Sequence, residues 1–406
     1  MKLESLDTYI VGNPPPSFGG RYFIFLKLTT ACGVTGFGEV YAAAFGPETI
    51  VQMVRDVFER RLLGKDPFQI ERFWRSSHGS GFSHRPDPSM MGVVSGLEMA
   101  CWDIVGKATD KPVHALLGGL VNERLRSYTY LYPGPDESAA DFYNNPDASA
   151  ERASEYLAMG FTALKFDPAG QYTVYDGRQP DLDSIERSVQ FCAKIREAVG
   201  TKADLLFGTH GQFSASGAIR LAKKLEPYDP LWFEEPTPPD MPEEMAKVAA
   251  ATSIPVATGE RLCTKFEFAR VMRTGAASIL QMNLGRVGGI LEAKKIAGMA
   301  EAFYTQVAPH LYCGPIVGAA NIQLAASIPN FLVLESIQRW DGFHADILKK
   351  PIQWEDGFVI TPTEPGLGVE LNEEVARAHP YTGDRLHLEM GDDPFDPALQ
   401  DRFAGG

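Results

Sequence analysis

The pattern of hydrophobic and polar positions changes near residue 120. Before that point strand and helix do not alternate. Residues 22–28 form an apolar run typical of a strand, and residues 33–41 indicate a turn followed by a partner strand. Apolar residues then recur at helical spacing over 47–63, 67–77 and 90–108. The pattern predicts an α+β domain over residues 1–120.

From about residue 125, short β-rich runs alternate with amphipathic helices. The runs lie at 126–132, 162–167, 204–210, 231–235, 255–260, 278–283, 304–309 and 331–335. Two to four such runs would suit a doubly wound sheet, whereas eight favour a closed parallel barrel with outer helices. The prediction is an α/β protein with a barrel over 121–340, and a C-terminal segment, 341–406, that packs on the first domain.

Composition and charge narrow the possible functions. A chain of 406 residues suits a large barrel and a smaller domain. Its net charge of −14, without a basic cluster, argues against nucleic acid as a partner. Five scattered cysteines without a C-x-x-C pair indicate neither a disulfide framework nor a zinc site, and they fit a reducing cytoplasm. No apolar run approaches the roughly 20 residues of a membrane helix, and the first residues lack the apolar stretch of a secretory signal, so neither feature is expected.

Polar residues follow the apolar stretches that should fill the barrel. They end the predicted strands two to eight, in order, at Lys165-Phe166-Asp167, Gly208-Thr209-His210, Glu234-Glu235, Gly259-Glu260-Arg261, Gln281-Met282-Asn283, Pro309-His310 and Leu334-Glu335. In such a barrel the chemistry gathers at the carboxyl ends of the strands. Because a buried carboxylate is costly unless it is paired or binds a metal, several carboxylates on one rim indicate a cation site.

Glu234 and Glu260 are the first candidate metal ligands. They are 260 − 234 = 26 residues apart, one βα unit, which places them on neighbouring strands. Ligands that offer only oxygen suit a hard ion such as Mg²⁺. The alternative is a structural salt bridge between barrel layers that involves Arg261.

His210 and His310 are candidates for acid–base work. On strands three and seven they would face each other across the barrel mouth, where one ring takes a proton and the other delivers one. The alternative is that hydrogen bonds simply hold each ring in place. Lys165 is either a third titrating group or an electrostatic partner of Glu234 or Asp167.

These residues, with motifs elsewhere in the chain, resemble the enolase superfamily, and within it the mandelate racemase-like and acid-sugar dehydratase branches. The first domain carries Gly33-x-x-Gly36-x-Gly38-Glu39, then Cys101-Trp102-Asp103-Ile104-Val105-Gly106-Lys107 and Leu116-Leu117-Gly118-Gly119. The barrel carries Glu234-Glu235-Pro236, Gly259-Glu260-Arg261 and Ala308-Pro309-His310, and the tail carries Pro365-Gly366-Leu367-Gly368. The resemblance covers nearly the whole chain and implies a (β/α)7β-type barrel with a capping domain.

The resemblance also implies roles. Glu234 and Glu260 match the second and third Mg²⁺ ligands, His310 matches the base on strand seven, and Glu335 matches a carboxylate that hydrogen bonds a substrate oxygen. His210 matches the histidine that protonates the departing hydroxyl in galactonate and mannonate dehydratase-like members. The implied reaction removes the proton next to the carboxylate of a sugar acid and expels water, giving a 2-keto-3-deoxy acid.

Loops of the first domain, around 12–20 and 78–90, are expected to close over the barrel mouth and to select the substrate. His84 and Arg85 are the predicted substrate contacts there. The implied partners are a small-molecule sugar acid and further copies of the same chain in a homo-oligomer.

Three residues depart from the family pattern. Gly208 occupies the position of the first metal ligand, and Asn283 replaces the aspartate that orients the strand-seven histidine. The amide is expected to accept the Nδ1 proton of His310 without supplying charge. Asp167 replaces the second lysine of the usual Lys-x-Lys, which argues against a two-base racemase, and its carboxylate is a candidate replacement ligand.

Two hypotheses follow. The first is an active acid-sugar dehydratase whose metal site is completed by Asp167, by His210 or by water. The second is a barrel that has lost this reaction, and that either only binds or catalyses a different isomerisation or cycloisomerisation. Gly208 and Asn283 favour the second, while the five intact residues Glu234, Glu260, His210, His310 and Glu335 favour the first.

Overall fold

The computed structural model describes residues 1–42, 44–82, 84, 87–168 and 177–388. Its strands are β1 (Leu3–Gly12), β2 (Tyr22–Thr30), β3 (Thr35–Val40), β4 (Arg124–Tyr130), β5 (Ala163–Phe166), β6 (Asp204–Gly208), β7 (Trp232–Glu234), β8 (Val256–Thr258), β9 (Ile279–Leu280), β10 (Gln306–Val307), β11 (Leu334–Glu335), β12 (Trp354–Glu355) and β13 (Phe358–Ile360).

The helices alternate with these strands through most of the chain. They are α1 (Pro47–Arg61), α2 (Ile70–His78), α3 (Pro88–Thr109), α4 (Val113–Leu116), α5 (Ala139–Phe142), α6 (Pro146–Met159), α7 (Leu182–Val199), α8 (Ala215–Leu225), α9 (Pro242–Ala251), α10 (Thr264–Thr274), α11 (Ile290–Glu301), α12 (Pro315–Ala326), α13 (Phe343–Asp346) and α14 (Glu373–Ala378). None of the helices in the described ranges is long and apolar enough to cross a membrane.

The eight predicted β-rich runs are confirmed, because each overlaps one of the strands β4 to β11. Strands β4 to β9 pair with their neighbours in chain order, and every one of these pairings is parallel. The described strands form a three-stranded antiparallel sheet and a mostly parallel ten-stranded sheet. This is the α/β architecture that the hydrophobic pattern predicted.

The chain divides into two compact units. The first comprises 1–126, 259–268 and 282–388, and the second comprises 127–258 and 269–281, each over its described residues. Strands β1, β2 and β3, with helices α1, α2 and α3, belong to the first unit. Strands β5 to β9 belong to the second unit, where apolar side chains such as Leu206 and Phe233 are fully buried.

Close packing of a helix on a strand explains the glycine motif of the first unit. A Cβ atom at Gly38 would overlap the carbonyl oxygen of Gly96 in α3, and one at Gly36 would overlap that of Ala100. Only glycine lets β3 approach the helix so closely. Glu39, the next residue, is buried and accepts hydrogen bonds from the backbone of Gly314 at 2.5 Å and, at 2.9 Å, from the residue three positions later. It therefore binds free N–H groups at the start of α12.

The C-terminal motif docks on the same helix. The buried carboxylate of Asp103 accepts hydrogen bonds from Leu367 N and Phe37 N, each at 2.9 Å, and from Lys107 Nζ at 2.7 Å. A Cβ atom at Gly366 would overlap this carboxylate. The sequence motifs at both ends of the chain are thus parts of one packed structure.

Candidate active site

A fully buried lysine–glutamate pair lies at the strand ends of the second unit. Lys165 Nζ, near the end of β5, is 2.6 Å from Glu234 Oε1 at the end of β7. The other carboxylate oxygen of Glu234 accepts a hydrogen bond from Gln281 Nε2 at 2.7 Å. The ammonium group also lies 4.7 Å from the ring centroid of Tyr130. Lys165 is therefore an electrostatic partner of Glu234, and its second predicted role, as a titrating group, stays a prediction.

Asp167 and His210 form a second group in the same unit. Asp167 Oδ2 accepts a hydrogen bond from Tyr130 Oη at 3.1 Å and lies 3.3 Å from His210 Nδ1. His210 has a φ of 52°, a left-handed conformation that is uncommon for a residue other than glycine and that often marks a functional site. The structure thus brings the two predicted residues together.

The space left by Gly208 is occupied by a carboxylate. A Cβ atom at Gly208 would overlap Asp167 Oδ1, and its next neighbour would be Lys165 Cε at 3.4 Å. Asp167 Oδ1 is buried and has no hydrogen-bond partner among the described residues. The residue after β5 therefore places a carboxylate oxygen beside Gly208, at the end of β6.

The first unit holds the second predicted histidine. Asn283 Nδ2 lies 2.9 Å from His310 Nδ1, while Asn283 Oδ1 accepts a hydrogen bond from Gly285 N at 2.8 Å. On the other side of the ring, His310 Nε2 is 3.1 Å from Glu260 Oε2. The sequence led us to expect that the Asn283 amide oxygen accepts a proton from Nδ1, but in this structure the amide nitrogen faces Nδ1. The amide nitrogen faces the ring because the Gly285 N–H binds the oxygen.

A carboxylate contacts the residue that follows this histidine, and an aromatic ring lies near its imidazole. Glu335 at the end of β11 is buried and accepts a hydrogen bond from Leu311 N at 2.6 Å. The Tyr41 ring centroid is 6.3 Å from that of His310, and the Arg286 guanidinium lies 4.0 Å from the Tyr41 ring. Burial raises the pKa of Tyr41, so its hydroxyl stays protonated at neutral pH.

Comparison with known proteins identifies the family. A profile described as "Enolase C-terminal domain-like" matches residues 148–375, and one described as "Mandelate racemase / muconate lactonizing enzyme, N-terminal domain" matches residues 16–118. A D-galactonate dehydratase of Xanthomonas euvesicatoria pv. vesicatoria (strain 85-10) is 34% identical over 383 residues, which cover 93% of this chain and 94% of that protein. The chain belongs to the mandelate racemase/muconate lactonizing enzyme family of the enolase superfamily.

Solved structures agree with this membership. A structure provisionally described as a mandelate racemase/muconate lactonizing enzyme, from Labrenzia alexandrii DFL-11, is 64% identical, covers 97% of this chain and 100% of that chain, and has a TM-score of 0.94. A mandelate racemase/muconate lactonizing enzyme from Sulfitobacter sp is 56% identical, with 98% and 100% covered and a TM-score of 0.95. The resemblance drawn from the motifs is confirmed, as is the superfamily's barrel with an N-terminal capping domain.

The superfamily generally uses Mg²⁺. The carboxylates of this member offer oxygen ligands, which a hard cation such as Mg²⁺ prefers. Asp167 contributes a buried oxygen that has no hydrogen-bond partner among the described residues. Each oxygen of Glu234 accepts one hydrogen bond from a described side chain, which leaves it a second lone pair. The described residues contain no group of three or more His, Cys, Asp or Glu side chains already arranged around a metal. Mg²⁺ is commonly held by one or two carboxylates while water and substrate supply the other ligands, so the donor set is compatible with it.

The predicted substrate contacts of this family member lie in the capping segment around 78–90. His84 has a φ of 54° and its ring centroid is 5.6 Å from that of His78, which stacks on Trp74. Arg85, the other predicted contact, lies outside the described residues. The structure therefore locates one of the two.

Sequence reasoning missed several residues that contact the predicted ones. Gln281 was recognised at a strand end but given no role, although it binds Glu234. Tyr130 lies within the predicted run 126–132 and ends β4, but no role was predicted for it, although its hydroxyl binds Asp167. Tyr41 and Arg286 carry no separate sequence signal beyond their places just after the glycine motif and Asn283.

Proposed function

We propose that this enzyme removes the proton α to the carboxylate of a sugar acid and eliminates water from C2–C3, giving a 2-keto-3-deoxy acid. It is a lyase of the dehydratase-like group, and its substrate class is a small-molecule sugar acid. The proposed catalytic residues are His310, His210, Lys165, Asn283 and Glu335. The likeness to D-galactonate dehydratases supports the substrate class, and D-galactonate is the first candidate substrate.

The observation that carries the proposal is the buried Lys165–Glu234 pair. Two charges taken out of water cost several kcal/mol each, and their mutual attraction rarely does more than offset this cost. A purely structural barrel would be as stable with apolar residues in both positions. Charged groups kept at strand ends, where the chemistry of such barrels lies, indicate a function.

A divalent cation is proposed as the cofactor, with Glu234, Glu260 and Asp167 as its protein ligands. When bound, it would supply positive charge that favours loss of the α-proton from a carboxylate substrate. The ammonium of Lys165 lies against Glu234 and adds to that positive charge. Glu335, which is buried and accepts a hydrogen bond from the Leu311 backbone, is proposed to accept another from a substrate hydroxyl.

The two histidines are proposed to divide the acid–base work. His210 Nδ1 has a carboxylate neighbour at 3.3 Å, whereas His310 Nδ1 has an amide neighbour at 2.9 Å. This asymmetry also favours a lyase over a two-base racemase.

The test is a screen of the purified enzyme, with Mg²⁺, against a library of acid sugars with detection of 2-keto acid product. Product should form from at least one hexonate or pentonate, and chelation of the metal should stop its formation. His210→Asn should abolish the product, whereas Arg60→Gln, an exposed change in α1, serves as the control. If no acid sugar gives a 2-keto acid while metal binds normally, the alternative of an inactive or differently acting barrel replaces this proposal.

A further inference from the structure

The first unit contains a basic cavity of about 550 Å³. None of its lining residues belongs to the candidate active site. Its charged lining side chains are five cations and one anion, namely Lys2, Arg60, Arg61, Lys65 and Arg72, with Asp66. Because the chain as a whole carries a net charge of −14, its composition does not account for this concentration of positive charge.

Backbone hydrogen bonds hold together the segments that carry the basic residues. Leu3 N donates to Lys65 O at 2.8 Å, and Gly64 N donates to Leu3 O at 2.9 Å, so the start of β1 is joined to the turn after α1. Gln69 N donates to Asp66 O at 3.0 Å, directly before α2 begins. The cavity is therefore built on a connected backbone framework.

Most of the positive charge in this cavity has no nearby negative partner. Arg60 is the exception, because its Nε donates to the Asp56 carboxylate at 2.9 Å, and it is not part of the proposed site. The single acidic lining residue, Asp66, accepts a hydrogen bond from Phe68 N at 3.2 Å. The other basic side chains form no ion pair within the described ranges of the chain: Lys2, Arg61, Lys65 and Arg72. Like charges around a concave space repel one another, and a bound anion removes that repulsion.

Stabilisation of helix ends explains only part of this arrangement. Basic residues in the last turn of a helix offset its carbonyl dipole, and this accounts for Arg60 and Arg61 in α1. Lys2 and Lys65 lie outside the helices. Arg72 lies in the first turn of α2, where the dipole disfavours a positive charge. These three residues therefore require another explanation.

We propose that this cavity binds a diphosphate group, either as free pyrophosphate or at the end of a nucleotide. Guanidinium groups match phosphate oxygens with paired hydrogen bonds, and lysine adds charge. Four uncompensated cations suit an anion with several charges, whereas one carboxylate would neutralise only one of them. The volume lies within the range of small-molecule sites and leaves room for an organic group beyond the diphosphate. The site is separate from the proposed function, because no proposed catalytic residue lines it.

The first test titrates the whole protein with pyrophosphate by isothermal titration calorimetry. The buffer contains no divalent cation, so that the anion cannot bind through a metal. Arg72→Gln and Arg61→Gln should each weaken binding about tenfold, as expected for the loss of a charge-assisted hydrogen bond. Arg55→Gln is the matched control, since it removes one charge from the exposed side of α1 but lines no part of the cavity.

Two results of this titration would overturn the proposal. One is the absence of binding to the wild-type protein at millimolar pyrophosphate. The other is an equal loss of affinity in Arg55→Gln and Arg72→Gln, which would mean that the anion responds only to net charge. Urea midpoints near that of the wild type show that the variants are folded.

The second test locates the anion without any substitution. Acetylation of lysines, followed by mass spectrometry, should slow several-fold at Lys65 when pyrophosphate is present. Lys224, an exposed residue of α8 in the second unit, should react at an unchanged rate. ADP is tested in parallel: if it protects Lys65 at a lower concentration than pyrophosphate does, the site takes a nucleotide, and the reverse order assigns it to the free diphosphate. Equal protection of both lysines, or protection of neither, contradicts the proposed site.

Discussion

Asp167 places its Oδ1 atom in the space that a side chain at position 208 would occupy. The two residues are therefore complementary, since the glycine makes room and the aspartate fills it with a carboxylate. That oxygen is buried and has no hydrogen-bond partner in the described parts of the chain. A buried carboxylate oxygen without a partner is costly, and a bound cation would remove the cost.

Asp167→Asn should weaken the binding of Mg²⁺ or Mn²⁺ at least tenfold, which corresponds to about 1.4 kcal/mol, because an amide oxygen carries no full charge. Isothermal titration calorimetry measures the change. Asp204→Asn is the control, because it also removes one carboxylate but at the first residue of β6, at the other end of that strand from Gly208. Equal metal affinity in the wild type and in Asp167→Asn would exclude Asp167 as a ligand.

Gly208→Asp alone should lower the unfolding temperature without tightening metal binding, because the new side chain overlaps Asp167. When Gly208→Asp is combined with Asp167→Gly, the unfolding temperature should stay near that of the wild type. The affinity for the metal should return to within a few-fold of the wild-type value. Thermal unfolding with and without Mn²⁺ compares the two single variants with the double variant. If Gly208→Asp tightened binding while Asp167 was present, the two positions would not be alternatives.

Lys165→Met should destabilise the fold by about 3–5 kcal/mol, because it leaves the Glu234 carboxylate buried without its counter-charge. The double variant Lys165→Met/Glu234→Gln should recover part of that loss, since no net charge stays buried. Urea denaturation gives both values. Arg60→Met, which breaks an exposed pair with Asp56, should leave the urea midpoint almost unchanged.

Acid should destabilise the protein through a histidine of the C-terminal segment. Burial, assisted by the charge of Arg286, lowers the pKa of His387 from 6.5 to about 3. Between pH 6.5 and about 3 the unfolded chain binds a proton at this histidine that the folded protein excludes. The stabilising contribution is therefore fully present above pH 6.5 and is lost as the pH falls towards the folded pKa. The contribution reaches roughly 5 kcal/mol at most.

His387→Phe should flatten this acid limb while keeping an aromatic ring against Tyr22 and Tyr41. The measurement is the urea midpoint at pH values from 7 to 4, with the exposed His379→Phe as the control. An acid limb as steep in His387→Phe as in the wild type would assign the loss of stability to other groups.

The local pattern of the chain was sufficient to place the strands that carry the candidate site. All eight predicted runs overlap strands, because the alternation of apolar and polar residues reflects the backbone period of each element. Strand β1 was not predicted. Its residues alternate poorly in burial, as expected for a strand at the edge of a sheet, and it pairs only with β2. The short hairpin of β12 and β13 was missed because each strand has only two or three residues.

The limits of the sequence are clear at individual side chains. The motifs identified Asn283, Asp167 and Gly208 as departures from the family. Two expectations stay predictions: the domain limits, and one cavity shared by Glu234, Glu260, His210 and His310. The sequence by itself determined which residue types stand at the strand ends, because chain order sets strand order in such a barrel. Only the tertiary structure decided that the Asn283 nitrogen faces His310 and that Asp167 fills the space at Gly208. Both depend on side-chain rotamers and on contacts between segments distant in the chain, which no local periodicity encodes.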